Sequence, residues 1–328
     1  MRSPRLSVVR FGLALCVLLV LACTGGSGSS GAGAGAGSGT GGASIGSPPG
    51  STPPVSDSPS TSPPQGHLVW GYWDVDDNLH MSTSNADGTN MRPLLPDMGW
   101  LGAPNWSPDG RQLAVYVSPP DGLVTGGLVN ADGTGFHAFD SPDPTLNLAC
   151  FEWSPDGDRL ACEGFDDAHP ARDGLYTVRS TDGGDVQAVT THHRVGLCGY
   201  SPDGSQFAYL QEDERLMVVN VDGTGRHRLT DTTFTLGCDW SPDGRSILAA
   251  SDGALFLIDL DGTTTEIPVR GGVTNSYGPA FSPDGSSIVF MGAVGGERYD
   301  IYTMRLDGSE PVQITQTLVE EDFADWGP

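Results

Sequence analysis

Asn105-Trp106-Ser107-Pro108-Asp109-Gly110 is followed at once by Arg111-Gln112-Leu113-Ala114-Val115-Tyr116, and these two phrases decide how the chain folds. The aromatic-Ser-Pro-Asp-Gly run returns four times, with its serine at positions 154, 201, 241 and 282, so that counting from Ser107 the period is 40 to 47 residues. Proline after serine sets φ and removes a donor, and Asp-Gly supplies the left-handed position of a tight reversal. Each run therefore predicts a hairpin. The apolar residues that follow (113–117, 160–162, 207–210, 247–250 and 288–291) predict the second strand of each unit. A third strand then leads to a second turn at Asp87-Gly88, Asp132-Gly133, Asp182-Gly183, Asp222-Gly223, Asp261-Gly262 or Asp307-Gly308. Six such turns at this period predict an all-β, six-bladed β-propeller of four-stranded antiparallel blades.

These phrases resemble the TolB-type repeat, a bacterial propeller unit related to the WD-type propellers. In that unit aromatic-Ser-Pro-Asp-Gly closes the innermost strand, and Asn-x-Asp-Gly-Thr-Gly links the third strand to the fourth. Asn130-Ala131-Asp132-Gly133-Thr134-Gly135 and Asn220-Val221-Asp222-Gly223-Thr224-Gly225 match the second motif in full. The resemblance spans residues 67–328 and implies an architecture, because propellers host binders, scaffolds and enzymes alike.

Phe323-Ala324-Asp325-Trp326-Gly327-Pro328 starts a further repeat, whereas His67-Leu68-Val69-Trp70-Gly71-Tyr72 has no Ser-Pro-Asp-Gly before it. The tail is therefore expected to supply the inner strand of blade 1 and close the ring. Trp106, Trp153, Tyr200, Trp240, Phe281 and Trp326 are expected to pack between neighbouring blades.

Arg2, Arg5 and Arg10 flank or precede an apolar run over 11–22, and Val20-Leu21-Ala22-Cys23 resembles a bacterial lipobox. Residues 1–22 read as a lipoprotein signal peptide, with Cys23 as the lipidated residue. About a dozen apolar residues are too few for a spanning helix, which needs roughly 20. Residues 23–66 are mostly Gly, Ser, Thr, Ala and Pro with one charge, Asp57, and predict a disordered tether of about 35 Å end to end. The domain over 67–328 is then expected outside the cytoplasm. Lipid would hold it to the outer face of the cytoplasmic membrane or the periplasmic side of an envelope membrane.

The chain carries 41 acidic and 16 basic residues, and every basic one is Arg. Nucleic acid is excluded as a partner, because phosphate binding needs clustered positive charge. Export favours oxidised cysteines, which makes Cys150, Cys162, Cys198 and Cys238 disulfide candidates. If the hairpin pairs Trp153 with Arg159, Cys150 falls opposite Cys162. Cys198 and Cys238 each lie three residues before their serine, in inner strands of adjacent blades, and bond only if their Cα atoms approach within about 7 Å.

The turns all share one end of the blades, which leaves the variable connections at the other. There Met98, Trp100 and Leu101 look exposed, His169 follows Asp166 and Asp167, and His192, His193 and Arg194 stand together. Apolar residues beside charges suit a partner surface. One residue before each aromatic stand Asp325, Asn105, Glu152, Gly199, Asp239 and Ala280. Near the axis, Glu152, Asp239, Asp325 and Asn105 offer the oxygens that Ca²⁺ prefers, although polar groups wetting a channel are the plainer reading. The expected function is a binding or scaffold module, non-enzymatic, for an envelope protein, peptide or glycan. The alternative is a propeller hydrolase or lyase with a metal or a His and carboxylate group on the axis. Within 67–328 there is no Gly-x-Ser-x-Gly elbow and no His-Glu-x-x-His, and no residue is assigned a catalytic role.

Overall fold

In the computed structural model the described residues are 64–328, apart from 75, 77, 121, 142, 236, 296, 297 and 318. The signal peptide expected over 1–22, the lipidation site Cys23 and the tether as far as residue 63 lie outside them. The described residues form six four-stranded antiparallel sheets. Their inner strands neighbour one another in ring order. Blades 2 to 6 each take four successive strands, beginning with the inner strands Leu101–Trp106, Asn147–Trp153, Val195–Tyr200, Cys238–Trp240 and Val273–Phe281.

Blade 1 is assembled from both ends of the repeat array. The tail strand Glu320–Gly327 pairs antiparallel with His67–Trp73, placing Leu68 opposite Trp326 and Val69 opposite Asp325. Ring closure is therefore as expected, and it removes the open edges of a linear array. Gln65 and Gly66 are drawn in as well: the Trp326 indole donates to Gln65 O at 2.8 Å, and Ala86 N–H donates to Gly66 O at 3.1 Å. Pro328 lies over Gly110 as Pro155 lies over Gly204, Pro202 over Gly244 and Pro242 over Gly285. The tail thus continues the proline stack of the turns as well as the strand.

The repeated turn is organised by its serine. Ser107 Oγ donates to Asp109 Oδ1 at 2.8 Å and accepts the Gln112 N–H at 3.0 Å, while Gly110, at φ 68°, donates its N–H to Ser107 O. Ser154, Ser201, Ser241 and Ser282 make the same bond to Asp156, Asp203, Asp243 and Asp284. All five serines are buried. A buried hydroxyl that both donates and accepts satisfies groups which the tight reversal would otherwise leave unpaired.

The aromatics pack at the seams. Trp326 meets Trp70, Met291 and Ile301 between blades 1 and 6, and Trp106 meets Val69, Met81 and Leu113 between blades 1 and 2. Trp240 and Phe281 fill the next seams on the far side, while Trp153 and Tyr200 are half-buried.

One register departs from the expectation. Trp153 pairs with Leu160 instead of Arg159, and a bulge at Phe151 returns Cys150 to a position opposite Cys162. These two cysteines are disulfide-bonded, as are Cys198 and Cys238, whose Cα atoms lie 4.7 Å apart across the inner strands of blades 4 and 5. Comparable irregularities interrupt the inner strands of blades 1, 2, 4 and 6 two or three residues before the aromatic. A bulge bends a strand and re-aims the next side chain.

Candidate functional site

Two regions hold the polar side chains that the fold gathers. The first is the axis. Asp325 Oδ2 accepts the Trp106 N–H of blade 2 at 2.7 Å, and Asp239 Oδ2 accepts the Phe281 N–H of blade 6 at the same distance. Asn105 receives the Trp153 indole on its backbone O at 3.2 Å and turns its own amide to Ala103 O. Glu163, on the second strand of blade 3, accepts the Leu197 N–H of blade 4 at 2.8 Å. Each of these residues couples one blade to the next. Glu152 differs: its carboxylate lies against Gly199, where a Cβ would stand 3.0 Å from Oε2. Gly199 is therefore the residue that leaves room for it.

Burial dominates the electrostatics of this group. It pushes Glu163 and Asp239 up to about 7 and Asp325 up to about 6, against the pull of the backbone N–H groups they accept. Glu152 is pushed well above the usual carboxylate range, by burial first and then by Asp325, Asp239 and Glu163. Among the described residues no three His, Cys, Asp or Glu side chains are gathered so as to hold a metal ion. Of the four residues read from the sequence as a Ca²⁺ set, Asp239, Asp325 and Asn105 each bond to an adjacent blade, and Glu152 lies against Gly199.

A stability effect follows from Glu152. Its folded-state pKa lies above the unfolded value, so the folded chain binds its proton more tightly, and stability falls as pH rises past the unfolded value. Glu152→Gln mimics the neutral acid. It is expected to raise Tm above the parent's at pH 8, and the gain should shrink steadily toward pH 4, below the unfolded value. Melting curves at pH 4 and pH 8 check this, and an equal Tm at pH 8 would refute it.

The second region is the variable-loop end of blades 2 to 4, where an ion-pair network ties three connections together. Arg172 donates to Asp166 Oδ2 at 2.8 Å and to Asp143 Oδ2 at 2.5 Å, and Thr145 Oγ1 donates to the same Asp166 oxygen. Arg194 donates to Asp173 Oδ2 at 3.0 Å and to Asp167 Oδ1 at 2.7 Å, and its guanidinium lies 5.2 Å from the centre of the Phe165 ring. Asp173 in turn accepts the Asp166 N–H. Asp166 is only 1% exposed, so its charge is met from several directions. The short 3-10 turn Pro170–Arg172 is held between these pairs.

His169, His192, His193 and Arg194 are brought together here. His169 is 63% exposed, with Nδ1 3.2 Å from Asp166 Oδ2. His192 is exposed, at φ 72°, with its N–H on Ala171 O, and His193 Nδ1 lies 3.9 Å from Glu212 Oε1. Arg172 and Asp143 were not singled out from the sequence. Their part in the network depends on contacts across 27 to 29 residues, with only the charged side chains as a signal.

Met98 and Trp100 lie elsewhere, on the seam of blades 1 and 2, half-buried against its core. Met98 also lines a shallow groove of about 400 Å³ with Arg92, Pro93, Leu95 and Asp132. Leu101, expected to be exposed, is instead 1% exposed, because it opens the inner strand of blade 2 and faces the seam.

No family model matches the chain. An uncharacterized protein of Agrobacterium fabrum is 28% identical over 221 residues, which cover 63% of this chain and 71% of that one. Dipeptidyl-peptidase 5 of Porphyromonas endodontalis is 32% identical over 145 residues, covering 39% of this chain and 20% of the peptidase. Among solved structures, TolB from Acinetobacter baumannii superposes with a TM-score of 0.65 at 19% identity, covering 80% of this chain and 67% of that one. A putative TolB from Agrobacterium tumefaciens superposes at 0.56 with 20% identity, covering 80% of this chain and 98% of that one. In fold the chain matches a TolB-type repeat protein, a six-bladed β-propeller.

Proposed function

We propose that the chain is an exported, lipid-tethered propeller that binds an envelope protein, peptide or glycan at the variable-loop end of blades 2 to 4. The observation that carries this reading is the pair of Arg172 and Arg194 networks, which hold the connections around 143, 166–173 and 192–194 in one arrangement while leaving His169 and His192 exposed. A surface ordered before binding loses less conformational freedom on contact, so more of its interaction energy appears as affinity. Two disulfides, Cys150–Cys162 and Cys198–Cys238, suit an oxidising compartment. Lipid on Cys23 would supply the membrane attachment, and the described chain enters at the turn end, through Gln65 and Gly66 beside Trp326 and Gly327. The variable-loop end is then the face directed away from that entry point.

The test uses the full chain as bait in envelope extract, against a His169→Ala, His192→Ala double variant. Recovery of the ligand is expected to fall at least fivefold with Tm unchanged, since neither side chain is part of the core. Undiminished recovery would remove the surface assignment. Trp100 is a poorer probe, because its half-buried ring makes loss of stability and loss of binding hard to separate. Of the alternative, a propeller hydrolase or lyase, only the hydrolase half is supported by the stretch of 145 residues shared with the peptidase. Stoichiometric, activity-linked metal in the purified chain would favour it over the binder.

A further inference from the structure

The seam between blades 6 and 1 is the one the tail strand closes, and its upper half is polar. Tyr72 stands in register between Glu321 of the tail strand on one side and His80 of the strand Leu79–Asn85 on the other. The Tyr72 and His80 rings stack at 5.4 Å. His80 Nε2 lies 2.9 Å from Asp74 Oδ2, and Asp74 is held ionised by the Asn78 side chain and backbone. From blade 6, the connection carrying Arg298 and Tyr299 reaches this row: Tyr299 O meets the Glu321 N–H, and Asp300 accepts the Thr317 N–H at 3.3 Å.

Glu321 is only 5% exposed in this setting. Thr317 Oγ1 donates to its Oε1 at 2.8 Å. Trp70 and Thr315 also approach the carboxyl, but among the described residues no donor meets hydrogen-bonding geometry at Oε2, which is buried. A buried neutral oxygen without a partner is costly, and a buried charge in the same position costs far more. Asp300 adds charge of the same sign from blade 6. The ionised carboxylate is therefore a poor occupant of the closed seam.

We propose that Glu321 is a proton-operated latch on ring closure: its neutral carboxyl seals the seam of blades 6 and 1, and loss of the proton frees the upper half of the tail strand. The direction follows from linkage. Burial raises Glu321 to about 7 in the closed seam, while the opened, solvated group returns to its ordinary value near 4.5. Opening is thus favoured as pH climbs between those values, and the dependence flattens once the closed form has itself lost the proton. The latch is independent of what the variable-loop end binds.

Hydrogen exchange followed by mass spectrometry, corrected for intrinsic exchange rates, tests the proposal on the full chain at pH 6 and pH 8. Between these values the two pKa values imply that protection of residues 71–73 and 319–323 falls about tenfold. The same segments in Glu321→Gln are expected to keep one level of protection at both pH values. An equal loss in the variant, or a loss shared evenly by all six blades, would overturn the latch. Should that variant fold poorly, Asp300→Asn keeps the idea open to refutation. With the like charge gone the loss should be smaller than in the parent, and an equal or larger loss counts against it.

Discussion

Trp326→Ala is expected to lower the free energy of unfolding by about 3 to 5 kcal/mol, roughly 6 to 20 °C in Tm. Trp326 is 4% exposed and packs on Leu68, Trp70, Ala280, Met291 and Ile301, so its removal opens a cavity shared by two blades. Its indole also holds Gln65 O, a bond that Ala cannot make. The position has a further liability that Trp106 or Trp240 does not have. Those residues sit in strands joined to the next by a Ser-Pro-Asp-Gly turn, whereas the tail strand meets His67–Trp73 without a covalent turn and is held by pairing and packing alone. Trp153→Ala provides the comparison, because Trp153 is only half-buried and lies in a blade continuous in the chain. It should cost distinctly less. Denaturant unfolding of both variants settles the matter, and a Trp326→Ala protein that unfolds with the parent would show that the closing strand contributes little.

Much of the architecture was legible because its determinants are local. Pro108 and Gly110 constrain φ within four residues, so the hairpin after Trp106 could be read without knowledge of the rest of the chain. The missing Ser-Pro-Asp-Gly before His67 and the surplus repeat start at Phe323 then implied closure by counting. The inner-strand bulges were not legible, because register is set by contacts between strands and not within one. The disulfide partner of Cys162 was reached by counting from a Trp153–Arg159 pair that does not form, and the bulge at Phe151 restored the outcome. For the same reason Asp239 and Asp325 could be placed near the axis but not matched with the Phe281 and Trp106 N–H groups they accept. Leu101 misled because a loop and the first residue of an inner strand have the same composition. Asp166, Asp167 and His169 were recognised as charged loop residues, but their binding into one network by Arg172 and Arg194 is a property of the folded surface.

Removing the disulfide between blades 4 and 5, by Cys198→Ser with Cys238→Ser, is expected to destabilise the chain by about 4 kcal/mol. The bond closes a loop of 40 residues, and the chain entropy that such a cross-link takes from the unfolded state is of that size. The bond between Cys150 and Cys162 spans only 12 residues, within a hairpin that the turn at Ser154 already closes. Its removal should cost about 2 to 3 kcal/mol. The two pairs also differ in what they join: the shorter links strands of one blade, the longer couples the inner strands of two. Cys198 and Cys238 are 1% and 9% exposed, so reductant should leave the native protein intact and act only as the chain unfolds. Scans in reductant should therefore fall below those of the double serine variant once the thiols are reached, because both bonds are then lost. Denaturation midpoints for the two variants at equal m-value provide the measurement. Equal losses would mean that loop length does not govern the contribution. An unchanged midpoint for the 198–238 variant would mean that inner-strand packing holds blades 4 and 5 together without the bond.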